Sequence, residues 1–186
     1  MTPGSEAAYP DCPVVARTVK IGGLTKPQLI HKLREHSVLM NESAERLFAD
    51  DRFTTLDTEQ MLETVELTVG DLGYPRGATS GEFCARAGQL GLGLCPLELG
   101  PHLRLAFLDQ PEGSFGSPIR QHKAPVGSIT IASAALDDDP TTPKGFYLRR
   151  IDGVLWLRGY TSEKTHVWNP GDHLVFFCQT KHALRE

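Results

Sequence analysis

Glu98, His102, Arg104 and Asp109 fall within twelve residues of one another, and their side chains suit acid–base chemistry. An imidazole can take or give a proton near neutrality, and a guanidinium can neutralise an oxyanion as it develops. The stretch 103–108 reads as a strand with His102, Arg104, Ala106 and Leu108 on one face. Glu98 then approaches across Leu99-Gly100-Pro101. His102, Glu98 and Arg104 are the candidate catalytic residues on this reading, although a His-x-Arg strand also occurs widely without any chemistry.

A second group lies between Gly145 and Tyr160. Asp152-Gly153 separates two alternating apolar runs, and a two-residue type I′ turn takes φ > 0 at both central positions, so the pair predicts a β-hairpin. The turn fixes the register: Ile151 opposite Val154, Arg149 opposite Trp156, Tyr147 opposite Arg158. Phe146, Leu148, Leu155 and Leu157 form a core face. The other face presents Tyr147, Arg149, Trp156, Arg158 and Tyr160, which are the candidate ligand-binding residues. Guanidinium forks beside aromatic rings suit phosphate, carboxylate or a stacked base. Arginine stacked on an aromatic also merely finishes a half-solvated sheet face, contributing about 0.5–1 kcal/mol per contact.

No pattern points to a metal or a cofactor. Asp137, Asp138 and Asp139 precede Pro140 without the alternating oxygen spacing of a calcium loop, and read as a solvated turn. His166 and His173 flank Asn169-Pro170-Gly171, but a hairpin there pairs Trp168, not His166, with His173. Cys12, Cys84, Cys95 and Cys178 show no C-x-x-C spacing, so free thiols are expected, with Cys84 and Cys178 buried in apolar patterns.

The elements that must position these groups follow from caps and periodicity. Thr25-Lys26-Pro27-Gln28 opens a helix with a capping box, and Leu29, Ile30 and Leu33 give its buried stripe through about His36. Asn41 caps a second helix with Ala44, Leu47 and Phe48 facing inward. This pair is a packing hairpin rather than a DNA-reading motif, because Glu42 and Glu45 at the second helix start would meet phosphates badly. Residues 61–69 alternate as a strand. Thr79-Ser80-Gly81-Glu82 opens a third helix that carries Phe83, Ala87 and Leu90 and ends at Gly91 or Gly93. The start of that helix, after a Gly-rich turn with Arg76, suits an anion, although Gly73 and Gly77 also serve turn geometry alone.

Residues 109–126, with Arg120, His122 and Lys123, read as a long loop. Residues 128–134 read as a strand, and 165–168 and 173–179 as two closing strands. Helices first and strands after imply an α+β fold, with a mainly antiparallel sheet and the hairpin at its centre. Residues 1–19 lack periodicity and read as a flexible tail before a single domain, 20–186.

Of 186 residues, 40% are hydrophobic and 23% charged, the balance of a globular chain. The net charge is −4, but residues 42–71 hold nine acids against Arg46 and Arg52, a net of −7 that leaves +3 elsewhere. An acidic chain is a poor nucleic-acid binder. No apolar run is long enough to span a membrane, and no signal peptide is visible.

Four stretches, Ile21-Gly22-Gly23-Leu24-Thr25-Lys26, Cys95-Pro96-Leu97-Glu98-Leu99, Leu108-Asp109-Gln110-Pro111-Glu112-Gly113 and Gly145-Phe146-Tyr147-Leu148-Arg149-Arg150-Ile151-Asp152-Gly153, resemble a family of small uncharacterised bacterial proteins, some labelled "helicase". The resemblance implies a bacterial, cytoplasmic protein and supplies no active site. Helicase motifs are not in the residues: Gly159-Tyr160-Thr161-Ser162-Glu163-Lys164-Thr165 lacks the second glycine of a phosphate-binding loop and follows a strand. The leading expectation is a binding protein that takes an anionic small molecule or a protein partner on the Arg/aromatic face. A small hydrolase or transferase acting on a phosphate- or carboxylate-bearing substrate, with His102 as acid/base, is the alternative. A weak polyanion binder is the third.

Overall fold

The structure, a computed structural model, describes residues 8–113 and 127–179. Among the described residues, ten strands and four α-helices follow one another: β1 (Val15–Ile21), α1 (Lys26–Glu35), β2 (Leu39–Met40), α2 (Glu42–Ala49), β3 (Gln60–Thr68), β4 (Ala78–Thr79), α3 (Ser80–Gln89), β5 (Leu92–Gly93), α4 (Leu99–Ala106), β6 (Ile129–Ile131), β7 (Gly145–Ile151), β8 (Val154–Tyr160), β9 (Val167–Trp168) and β10 (His173–Cys178). The fold is α+β. Its main sheet runs β1-β3-β10-β6-β7-β8-β2, with β5 added alongside β10, and β4 and β9 form a separate pair. The pairings are antiparallel except β10–β6 and β2–β8.

Helices cover both faces of this sheet. On one face Leu29, Leu33, Ala44, Leu47, Leu99 and Leu103 of α1, α2 and α4 pack against Phe146, Leu148 and Leu157. On the other, Phe83 and Ala87 of α3 pack against Val65, Leu67, Leu174 and Phe176. The registers place Leu67, Leu174, Thr130 and Tyr147 in one line across the strands, so α3 covers the β3–β10 part of the face that carries Tyr147.

The expected caps are in place. Thr25 with Gln28, and Thr79 with Glu82, form capping boxes, and the Asn41 side chain accepts from Ala44 N. The same Asn41 side chain ties α2 to β8, its Nδ2 donating to Gly159 O at 2.9 Å and its Oδ1 accepting from Gly159 N at 2.8 Å. Only glycine fits there, since a Cβ on Gly159 would lie 2.7 Å from the Ala44 backbone.

Several expectations need correction. Residues 103–106 belong to a helix, not a strand: Leu99 to Arg104 are all buried, so the polar face that makes a helical period visible is missing. Pro101 sits in the first turn, where no N–H is needed, and Gly100 lets α4 approach Phe146, which a Cβ would meet at 2.7 Å. Val15 to Val19, expected in a tail, lie in β1, held by β3; residues 1–7 lie outside the described part. The closing strands do not pair with each other. β9 pairs with β4, and β10 inserts between β3 and β6, where Leu174 and Phe176 are buried. The β7–β8 hairpin stands one strand from the β2 edge of the sheet rather than at its centre. Cys84 and Cys178 are half-buried, and the fully buried thiol is Cys95.

Candidate functional site

β7 and β8 pair with Ile151 opposite Val154, Arg149 opposite Trp156 and Tyr147 opposite Arg158. Asp152 and Gly153 take φ of 52° and 75°, the left-handed values a type I′ turn requires. Glu112 braces the turn by accepting from Asp152 N at 3.1 Å and from Gly153 N. Phe146, Leu148 and Leu157 are buried beneath the helices, while Leu155, nearer the turn, is half-buried.

The opposite face brings Tyr147, Arg149, Trp156, Arg158 and Tyr160 together, all half-buried. The Arg158 guanidinium lies 4.8 Å from the Trp156 ring centroid and 6.0 Å from that of Tyr147. Its Nε donates to the Tyr147 hydroxyl at 2.8 Å. Stacking thus runs along one strand, from Arg158 to Trp156, and not across from Arg149 to Trp156. Arg149 Nε is shielded from solvent without a partner, and among the described residues neither arginine pairs with a carboxylate. Two unneutralised guanidinium groups sit as diagonal neighbours, about 7–8 Å apart at their backbones.

Tyr160 continues this face toward Trp168, with ring centroids 6.5 Å from Tyr147 and 5.6 Å from Trp168. Beyond Tyr160 opens a cleft of about 350 Å³, bounded by Thr79, Ser80 and Gly81 at the start of α3, by Cys84, by Ser133 and by Trp168. Burial pushes the Cys84 thiol up to about 11, so it lines the cleft as a neutral group rather than a nucleophile. Burial likewise raises Tyr160 and keeps its hydroxyl protonated. Neither Ser133 nor Trp168 stood out in the sequence. Their partners come from segments far apart in the chain, and no local pattern marks a polar atom that folding leaves unpaired.

The candidate catalytic residues lie elsewhere. Glu98 and His102 meet one turn apart at 3.7 Å, at the corner after β1. Gly22 N donates to His102 Nε2 at 3.3 Å, and Leu56 N donates to Glu98 Oε1 at 3.1 Å. Burial, then Lys32 and Lys20, lowers the His102 pKa, and burial raises that of Glu98. His102 Nε2, accepting from Gly22 N, and Glu98, accepting from Leu56 N, together hold this chain corner.

Arg104, two residues on and so about 200° around the helix, does not join them. It is fully buried and donates to Gln110 Oε1 at 2.6 Å, to Trp156 O at 3.3 Å and to Phe107 O. Gln110 in turn donates to Gly127 O and Leu148 O. Burial, with Arg150 nearby, lowers the Arg104 pKa to about 10, and its charge is solvated by carbonyl and amide oxygens. The α4 residues and the Arg149–Arg158 pair thus occupy opposite faces of the sheet. Arg120, His122 and Lys123 lie outside the described residues. Comparison with protein-family models, curated proteins and solved structures found no match.

Among the described residues, no helix is long and apolar enough to cross a membrane, and no three His, Cys, Asp or Glu side chains gather as metal ligands.

Proposed function

We propose that this protein binds a small anionic molecule on the sheet face formed by Tyr147, Arg149, Trp156, Arg158 and Tyr160. One observation carries the reading: two half-buried guanidinium groups share a face with no carboxylate partner among the described residues. An arginine buried for stability ordinarily finds a carboxylate or a set of carbonyl and amide oxygens, as the terminal nitrogens of Arg104 do. An anion laid across Arg149 and Arg158 takes charge-assisted bonds from both, each worth about 1.5–3 kcal/mol. By the sequence resemblance, we place this activity in a bacterial cytoplasm. A hydrolase using His102 with these arginines as clamps loses its support, because the sheet stands between them.

The test is calorimetric titration with inorganic phosphate and pyrophosphate at low ionic strength. Saturable binding lost in both Arg149→Ala and Arg158→Ala, with melting temperatures nearly unchanged, is expected. Equal binding by the variants and the parent would end the proposal.

A further inference from the structure

Trp156 stands at the middle of the arginine face, and its neighbours are sorted by chemistry. Arg149 lies across from it on β7, and Arg158 is two residues along β8. On its remaining sides are Leu39, across on β2, and Val154, two residues back on β8. Val154 in turn faces Ile151. Cations thus flank one side of the indole, and aliphatic side chains flank the other.

The aliphatic side is open to solvent. Val38 and Met40 join the core beneath the helices, so the period of two turns Leu39 outward, where it is 47% exposed. Ile151, Val154 and Trp156 are half-buried. The helices that pack on β7 and β8 are α2 and α4, which lie on the opposite face.

The arginines meet solvent at their ends. Arg149 Nε is shielded, and Arg158 Nε is engaged by the Tyr147 hydroxyl. The terminal nitrogens of both have neither a partner nor such shielding among the described residues. A carboxylate can meet a guanidinium through two parallel bonds. A bare anion would use these ends and leave Leu39 and Val154 wet. A hydrocarbon chain attached to the anion would displace that water, and the apolar area removed from water favours binding. Two residues along a strand span about 7 Å and neighbouring strands lie about 5 Å apart. Arg158, Trp156 and Leu39 therefore fall within reach of one short chain.

We propose that the ligand of the arginine face is a single-chain amphiphile with one anionic head, a free medium-chain carboxylic acid in its chemistry. Its carboxylate lies on the terminal nitrogens of Arg149 and Arg158, and its hydrocarbon chain covers Trp156, Leu39 and Val154. This rests on the anion-binding reading above and adds the apolar tail to it.

The test is titration of the full chain with acetate, butyrate, hexanoate, octanoate and decanoate, each kept below micelle formation. Affinity should rise about two- to fourfold for each added methylene, the upper figure corresponding to complete burial. Decanol, which lacks the charge, should bind much more weakly than decanoate. Leu39→Ser, at an exposed position, should weaken decanoate binding about three- to tenfold and leave inorganic phosphate binding unchanged. Labelling with 5-fluorotryptophan gives one 19F resonance for each tryptophan, assigned with Trp156→Phe, and decanoate should shift that of Trp156 alone. Phosphate binding with no gain from acetate to decanoate, or a decanoate shift at Trp168 alone, would overturn the tail while the anion site stands. Decanol binding as tightly as decanoate would overturn the amphiphile, as would adhesion to phosphatidylglycerol vesicles without any response to free decanoate. No response of Trp156 to phosphate or to any carboxylate would overturn both readings.

Discussion

Arg104 and the Arg149–Arg158 pair put the same side chain on two sides of one sheet, and the protein treats them differently. Arg104, on α4, has no carboxylate partner among the described residues; its terminal N–H groups reach Gln110, Trp156 and Phe107 oxygens. It is buried and committed, and it joins α4 to the segments on either side of 114–126 through Gln110. Arg149 and Arg158 lie among aromatic rings and, among the described residues, have no acceptor beyond the Tyr147 hydroxyl. The terminal nitrogens of Arg104 are taken up internally and support the fold, although its Nε, like that of Arg149, has no partner among the described residues. Burial separates them, and so do the acceptors that meet the terminal nitrogens of Arg104.

That contrast is most easily broken at Arg104. Arg104→Ala should destabilise by about 3–5 kcal/mol in denaturant unfolding, because it opens a buried cavity and strips Gln110 and the Phe107 carbonyl of their donor. Arg104→Met, which restores volume without donors, should recover part of this. A loss under about 1 kcal/mol would mean that Arg104 is not the structural member of the comparison.

Leu157, fully buried under the helices, is the apolar counterpart on the same side of the sheet. Leu157→Ala should cost about 2–4 kcal/mol, and Leu155→Ala clearly less, since that side chain is half-buried nearer the turn. Equal losses would show that the helices protect the whole hairpin alike.

On the other side, Arg149→Ala and Arg158→Ala should each change stability by less than about 2 kcal/mol, since Arg158 gives up a cation–π contact and one neutral hydrogen bond and Arg149 neither. A larger drop in melting temperature for Arg149 would make it a structural residue and remove half of the proposed anion site.

The smallest effect is one of pH, at a third treatment of charge. Glu66 accepts from Arg17 at 2.6 Å and lies 2.9 Å from His173 Nδ1. Burial would raise the Glu66 pKa, but His173 and Arg17 outweigh it and leave it below its ordinary 4.5. The hydrogen bond to Glu66 raises His173 above its ordinary 6.5. A raised histidine stabilises fully below 6.5 and loses that contribution as pH climbs through the folded value. A lowered glutamate stabilises above 4.5 and loses it as pH falls. The network contributes most between those limits, so stability should decline from pH 6 toward 8. His173→Gln should flatten that slope, and an unchanged slope would assign it to other groups.

Much was legible in the chain itself. Thr25, Asn41 and Thr79 mark helix starts because a cap and its N3 partner are neighbours in sequence. Asp152-Gly153 fixes the hairpin and the alternation around it, because a two-residue turn leaves one register. The facing of Tyr147, Arg149, Trp156 and Arg158 follows from the period of two. All of these are local constraints.

What escaped is what depends on distant partners. Residues 103–106 read as a strand, yet they form a helix because Arg104 finds buried oxygens from Gln110, Phe107 and Trp156, and no sequence window contains that solvation. β9 and β10 part company because Trp168 and Phe176 pack with Phe83 from another segment. The cleft joins Ser80, Ser133, Tyr160 and Trp168 from four stretches of chain. The sequence alone determines where helices begin, where the hairpin turns and which arginines share its face. Only the tertiary structure decides which polar groups find partners, because a hydrogen bond's partner is chosen by packing in space and not by spacing along the chain.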